Sequence, residues 1–214
     1  MGPEDLRARL VDDLERRGYI SSPSVKRAFL SVWRERFVPG EMKPYSYEDR
    51  PLPIGSHQTI SAPSMIAIML EASDLHEGLR VLEIGTGSGY NACLLAHIVG
   101  NGNVTSIERI AELCETARNN LSSCGRQVSV LCKDGTLGHK EGAPYDRIIV
   151  TAASPGFPAP LVEQLSTKGK IIAPIGTSPG MQELRVGTLQ GDGGLSVTSH
   201  GHCVFVPLIG KYGF

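Results

Sequence analysis

Arg80-Val81-Leu82-Glu83-Ile84 is a short apolar run that stops at three alternating glycines, Gly85-Thr86-Gly87-Ser88-Gly89. The Ala- and Leu-rich segment 90–99 that follows reads as a helix. A strand that feeds a glycine turn and then a helix leaves few folds open, because glycine lets the backbone reverse tightly at a strand's carboxyl end. The rhythm repeats downstream. Val104-Thr105-Ser106-Ile107 reads as a strand and 110–122 as a helix, and Val128–Leu131, Arg147–Val150 and Lys170–Ala173 read as further strands. Strands that alternate with helices predict βαβ units and a mostly parallel sheet covered on both faces. The end differs. Two alternating stretches, 182–190 and 195–206, flank Gly191-Asp192-Gly193-Gly194, which predicts an antiparallel hairpin on the sheet edge.

The N-terminal third is built differently. Pro3 suits a first helical turn, Leu6, Leu10 and Leu14 share one face, and Gly18 closes the helix. Ser22-Pro23 reads as an N-cap and N1 pair, followed by the stripe Val25, Phe29 and Val32. Residues 38–60 carry Pro39, Gly40, Pro44, Pro51, Pro53 and Gly55 and are expected to be mostly loop, kept ordered by Tyr45, Tyr47, Leu52 and Ile54. One domain over 1–214 is the expectation, with 1–60 as helices and a binding loop and 61–214 as the core. The fold class is α/β: a doubly wound, mostly parallel sheet with an antiparallel C-terminal edge hairpin and an N-terminal helical elaboration.

Charge and cysteine usage narrow the function. With 21 Lys and Arg against 22 Asp and Glu, the chain lacks the basic excess of a nucleic-acid binder. No apolar run is long enough to span a membrane, and the charged start, Met1-Gly2-Pro3-Glu4-Asp5-Leu6-Arg7, shows no signal-peptide core. Five cysteines (Cys93, Cys114, Cys124, Cys132, Cys203) without a C-x-x-C pair are expected to be reduced, which points to a cytoplasmic protein. His200, His202 and Cys203 are the one tight cluster of metal-ligand types, and no second cluster completes a site, so no metal is expected.

Spacing within the glycine turn separates ligand classes. Dinucleotide enzymes prefer G-x-G-x-x-G, which needs glycine at position 90, where this chain has Tyr90. The G-x-G-x-G form over Gly85, Gly87 and Gly89 resembles motif I of the class I S-adenosylmethionine-dependent methyltransferases, a Rossmann-like family. Glu108, ending the second strand 19 residues after Gly89, stands where an acidic residue holds ribose hydroxyls. Glu83 is positioned for the cofactor's sulfonium and amino group, and Asp134-Gly135 for the adenine. Each has a plainer reading: a common turn, a cap for the helix near Ile110, an ordinary Asp-Gly turn. Three acidic positions at the ends of three successive strands favour one cofactor pocket.

The acceptor is read from upstream. Pro51-Leu52-Pro53-Ile54-Gly55-Ser56-His57-Gln58-Thr59-Ile60-Ser61-Ala62-Pro63 resembles the signature of the protein-L-isoaspartate O-methyltransferases. The resemblance extends through Arg36-Phe37-Val38-Pro39, Tyr47–Pro53, Val81–Tyr90, Ser106–Arg109, Asp134-Gly135, Val150–Ala153, Pro174-Ile175-Gly176 and Phe205–Leu208. It departs at His57, where many members carry glycine. It implies methyl transfer from S-adenosylmethionine, leaving S-adenosylhomocysteine, to the α-carboxylate of L-isoaspartyl and more weakly D-aspartyl residues of damaged proteins. The ester then closes to a succinimide whose hydrolysis partly restores the aspartyl linkage. Ser61 is implied as the catalytic, carboxylate-positioning residue. Gln58, Thr59, Glu83, Gly85, Thr86, Gly87, Ser88, Gly89, Glu108, Arg109, Asp134 and Gly135 are implied as cofactor contacts. By spacing alone, Ser61 reads first as the cap of a helix starting near Ala62-Pro63, and the resemblance reverses that order. Partners are expected to be isoaspartyl proteins and peptides, without nucleic acid or membrane, met by a monomer.

Overall fold

The computed structural model describes residues 2–178 and 180–214. Two antiparallel strands, β1 (Leu52–Gly55) and β2 (Gln58–Ile60), form a ribbon of their own. The main sheet has seven strands: β3 (Val81–Ile84), β4 (Val104–Glu108), β5 (Val128–Cys132), β6 (Tyr145–Val150), β7 (Leu165–Ser178), β8 (Met181–Leu189) and β9 (Leu195–Cys203). Their order is β5-β4-β3-β6-β7-β8-β9, parallel as far as β7 and antiparallel across β8 and β9. This bears out the mixed sheet and its edge hairpin. From β3 the chain builds outwards through β4 and β5, then returns to lay β6 on β3's other side. That reversal between β3 and β6 opens a crevice at the strands' carboxyl ends, where open α/β sheets bind ligands.

Alternation along the strands feeds two apolar layers. Val81, Ile149 and Ile172 face a layer built with α1 (Pro3–Arg16), α2 (Pro23–Ser31), α3 (Pro63–Ala72) and α4 (Tyr90–Val99). Leu82, Ile84, Ile148, Val150 and Ile171 face the opposite layer with Leu161 and Leu208. Both N-terminal helices start as expected, with Pro3 and Pro23 in the first turn and the Ser22 hydroxyl accepting from Val25 N–H at 3.4 Å. Gly18, at φ +76°, closes α1.

One expectation changes, and two features are new. Residues 38–60 are more ordered than a loop: a 3-10 turn covers Gly40–Tyr45, and Pro53 is tolerated because it sits in a two-stranded ribbon rather than a central strand. The ribbon's tight turn puts Ser56 and His57 at φ +49° and +57°, so His57 occupies the left-handed conformation that glycine adopts freely. A short helix, α6 (Ala159–Val162), had no sequence signal of its own.

The cysteines are the clearest correction. Four of the five expected to be reduced are paired, Cys93 with Cys124 and Cys114 with Cys132, and Cys203 is free and buried. The reason is packing: α5 (Ala111–Cys124) lies against both α4 and β5, which brings distant cysteines within bonding reach. An odd count without a C-x-x-C motif carries no information about such tertiary neighbours.

Candidate active site

The cleft at the β3–β6 reversal is lined from four directions. The ribbon contributes Gln58, Thr59, Ile60 and Ser61, and the glycine turn contributes Gly85, Thr86, Gly87 and Ser88. The end of β4 contributes Glu108 and Arg109, while Gly135, Thr151 and the segment Val206–Ile209 complete the wall. Ser61 and the glycine turn, 24 residues apart in sequence, thus share one cavity.

The turn needs its glycines for stated reasons. Gly85, at φ +96°, packs so closely on Thr151 that an added Cβ would collide with the Thr151 hydroxyl. That hydroxyl donates to the Gly85 carbonyl at 2.8 Å, binding the turn to the end of β6. Gly89, at φ +88°, is the N-cap of α4 and abuts Leu121 of α5. It does not itself line the cleft; it sets the angle at which α4 leaves the turn.

The acidic residues divide by strand register. Glu108 lines the cleft, accepting from Gly87 N–H at 3.0 Å on Oε2 and from Arg109 and Ile110 N–H at 2.9 and 3.0 Å on Oε1. Its carboxylate supports the glycine turn and holds the residues that lead into α5, and one acceptor position remains on Oε2. Glu83 shares Val81's side of β3, so it points under the turn towards α4 rather than into the cleft. It is wholly buried, with hydrogen bonds from the Ser106 hydroxyl and from Asn91 Nδ2, the latter at 2.7 Å. Burial pushes its carboxyl up to about 7, against the lowering effect of those two donors. The Asn91 amide it orients does line the cleft, and Asn91 Oδ1 is buried without a hydrogen-bond partner among the described residues.

Asp134 lies just outside the wall. Its Oδ1 accepts from Thr136 N–H and Oγ1 at 2.8 and 2.7 Å, and its Oδ2 from Lys211 N–H at 3.0 Å. Burial opposes its ionisation, but these donors outweigh that and hold the carboxyl below its ordinary range. Asp134 thereby fastens the C-terminal segment whose Pro207, Leu208 and Ile209 line the cavity.

Ser61 is not the cap of α3. Ala62 holds that position with no side-chain cap, and Ser61 lines the cleft with its hydroxyl unbonded among the described residues. The Ser61 carbonyl accepts from Arg34 Nη2 at 2.8 Å, and Arg34 is 0% exposed. Sequence reasoning missed Arg34, Asn91 and Thr151. Arg34 lies two residues before the quoted Arg36–Pro39 run and Thr151 lies inside another, but neither position carries a spacing signal of its own. His200 and His202 sit on exposed β9, and among the described residues no three potential metal ligands converge.

Comparison with known proteins agrees with this architecture. Residues 5–213 match the family described as protein-L-isoaspartate(D-aspartate) O-methyltransferase. A protein-L-isoaspartate O-methyltransferase of Hyperthermus butylicus is 50% identical over 220 residues, spanning 98% of this chain and 91% of its own. A solved structure named protein-L-isoaspartate O-methyltransferase superposes with a TM-score of 0.87 at 32% identity, covering 97% of this chain and 67% of that one. A Plasmodium falciparum structure described as a protein-L-isoaspartate O-methyltransferase, in complex with S-adenosyl-L-homocysteine, gives 0.81 at 26% identity, covering 94% of this chain and 97% of the other.

Proposed function

The chain belongs to the protein-L-isoaspartate(D-aspartate) O-methyltransferase family, and from that premise we propose how its own residues perform the reaction. The enzyme transfers a methyl group from S-adenosylmethionine to isoaspartyl residues of proteins, a repair reaction. The residues present suit that cofactor: a glycine cradle that a Cβ would fill, a carboxylate on the cavity wall at Glu108, and an orphaned acceptor at Asn91 Oδ1. When bound, S-adenosylmethionine supplies an electrophilic methyl on a sulfonium.

Glu108 receives the ribose hydroxyls. Asn91, oriented by Glu83, accepts from the amino group, so Glu83 acts behind the amide. Gly85, Thr86, Gly87, Ser88 and Gly135 form the walls, with Gln58, Thr59 and Arg109 closing over the cofactor. Gly89 shapes the turn, and Asp134 reaches the adenine through the one acceptor position left on Oδ2. The acceptor is the free α-carboxylate, with D-aspartyl residues used more weakly. That group has a reference pKa near ~3.5 and is already anionic at neutral pH, so no general base is required. An anion attacks a cation, charge falls towards the transition state, and alignment with exclusion of water supplies most of the acceleration. Ser61 holds the carboxylate in line. The ester then closes to a succinimide.

The observation that carries this reading is that Ser61, with its hydroxyl free of a capping role, lines the same cavity as the glycine turn and Glu108. We further read the chain as one methyltransferase domain that acts as a monomer on proteins and peptides, without metal and without nucleic acid. No helix among the described residues is long and apolar enough to cross a membrane. We read the protein as cytoplasmic. The test is methyl transfer from labelled cofactor to two peptides that differ only in an isoaspartyl against an aspartyl linkage. Labelling of the isoaspartyl peptide alone supports the reading; equal labelling overturns it.

A further inference from the structure

Arg34 opens the short 3-10 turn Arg34–Arg36 and is wholly buried. Its contacts are few for a guanidinium. Nη2 donates to the Ser61 carbonyl at 2.8 Å, and the group lies 5.1 Å from the Tyr90 ring centroid. Nε and Nη1 have no hydrogen-bond partner among the described residues. The neighbouring carboxylate that acts on it, Asp49, is committed elsewhere, to Ser64 N–H at 2.8 Å and Arg17 at 2.9 Å. Burial draws the guanidinium down to about 10, which leaves it charged at neutral pH. A buried charge with no carboxylate bonded to it is among the costliest features a fold can keep. Arg34 keeps it directly behind Ser61 and Tyr90, both of which line the cleft.

We propose that Arg34, held against the Ser61 carbonyl, is the buried counter-charge for the acceptor carboxylate, and that its field draws the anion into the cleft. The inference rests on the acceptor reading given above. Arg34 touches no reacting atom, so it is a positioning residue.

Its effect on the reaction has a definite sign. In the transfer, a carboxylate oxygen forms a bond to the methyl carbon and the carbon–sulfur bond breaks, its electron pair staying on sulfur. Carboxylate and sulfonium become neutral ester and neutral thioether. A cation behind the acceptor therefore favours the bound acid over the transition state, and over the ester most of all. Arg34 promotes capture of substrate and release of product, and contributes nothing to kcat.

The experiment measures KM and kcat for an isoaspartyl peptide, together with binding of an acid and methyl-ester pair N-methylated at the residue after the isoaspartate, so that the ester cannot close to a succinimide, in the wild type, Arg34→Met and Arg34→Lys. The wild type is expected to bind the acid at least about tenfold more tightly than the ester. Arg34→Met should raise KM by a similar factor of about 10, leave kcat unchanged or higher, and abolish the preference for acid over ester. Arg34→Lys should keep most of that preference. A purely structural arginine has no reason to separate acid from ester. Equal affinity of the wild type for acid and ester overturns the proposal without any variant. So does a fall in kcat at constant KM, or a loss of S-adenosylhomocysteine affinity matching the rise in KM, which assigns the charge to the cofactor's own carboxylate. Failure of the wild type to distinguish isoaspartyl from aspartyl peptide is a separate result and defeats the acceptor reading itself.

Discussion

Glu83→Gln should make the protein more stable at neutral pH, although it removes an acidic residue beneath the cofactor turn. Glu83 is wholly buried, and its carboxyl stands at about 7 in the fold against 4.5 for the free side chain. A carboxyl whose pKa is raised on folding stabilises the fold while protonated. That stability is fully present below pH 4.5 and is lost as pH rises through about 7. The shift corresponds to roughly 3 kcal/mol across that window, at about 1.4 kcal/mol per pH unit. Glutamine fits the same partners, accepting from Asn91 Nδ2 and donating to the Ser106 hydroxyl, and it has no charge to desolvate. The difference in stability between variant and wild type should grow in the variant's favour by roughly 3 kcal/mol between acid and neutral pH, or about 6–12 °C in Tm for a chain of this size. Parallel thermal melts of the two proteins at half-unit steps from pH 4 to pH 8 measure it. A constant offset between the two curves would refute the reasoning, because Glu83 would then titrate alike in the folded and unfolded chains.

Two further outcomes follow from backbone and cross-links. Gly85→Ala forces φ +96° on an alanine and drives its Cβ into the Thr151 hydroxyl; it should cost roughly 2–4 kcal/mol and most of the S-adenosylhomocysteine affinity, read by calorimetry. Gly102→Ala is its control, with φ +78° but open space around the new Cβ, and it should leave affinity intact. For the cysteines, alkylation of the unfolded, unreduced chain should label Cys203 alone and label all five after reduction, counted by mass spectrometry. Reduction should cost about 3 kcal/mol per bond by loop-closure entropy.

What was legible in the sequence was whatever repeats or turns locally. The strand into Gly85, the later strands and the Gly191–Gly194 hairpin turn all appear where the pattern puts them, because apolar alternation and glycine act within a few residues. Ser61 and the glycine turn could be tied to one site only through family resemblance, since 24 residues of chain separate them. Face assignment at strand ends was less accessible. Glu83 looked like a direct cofactor contact, yet the period of two along β3 turns it towards α4 and hands the cavity to Asn91. Arg34 and the two disulfides were invisible for a common reason: each exists because elements separated along the chain pack together, which no local spacing encodes.

Ser61→Ala tests the account most directly, with kcat on an isoaspartyl peptide, S-adenosylhomocysteine Kd and Tm measured on one preparation. If Ser61 aligns the acceptor carboxylate, kcat should fall by about 100-fold, the cost of a small misplacement in an attack geometry. Because Ala62, not Ser61, stands at the start of α3, neither Tm nor Kd should move appreciably. Normal kcat with a lowered Tm would contradict the account and return Ser61 to a structural role.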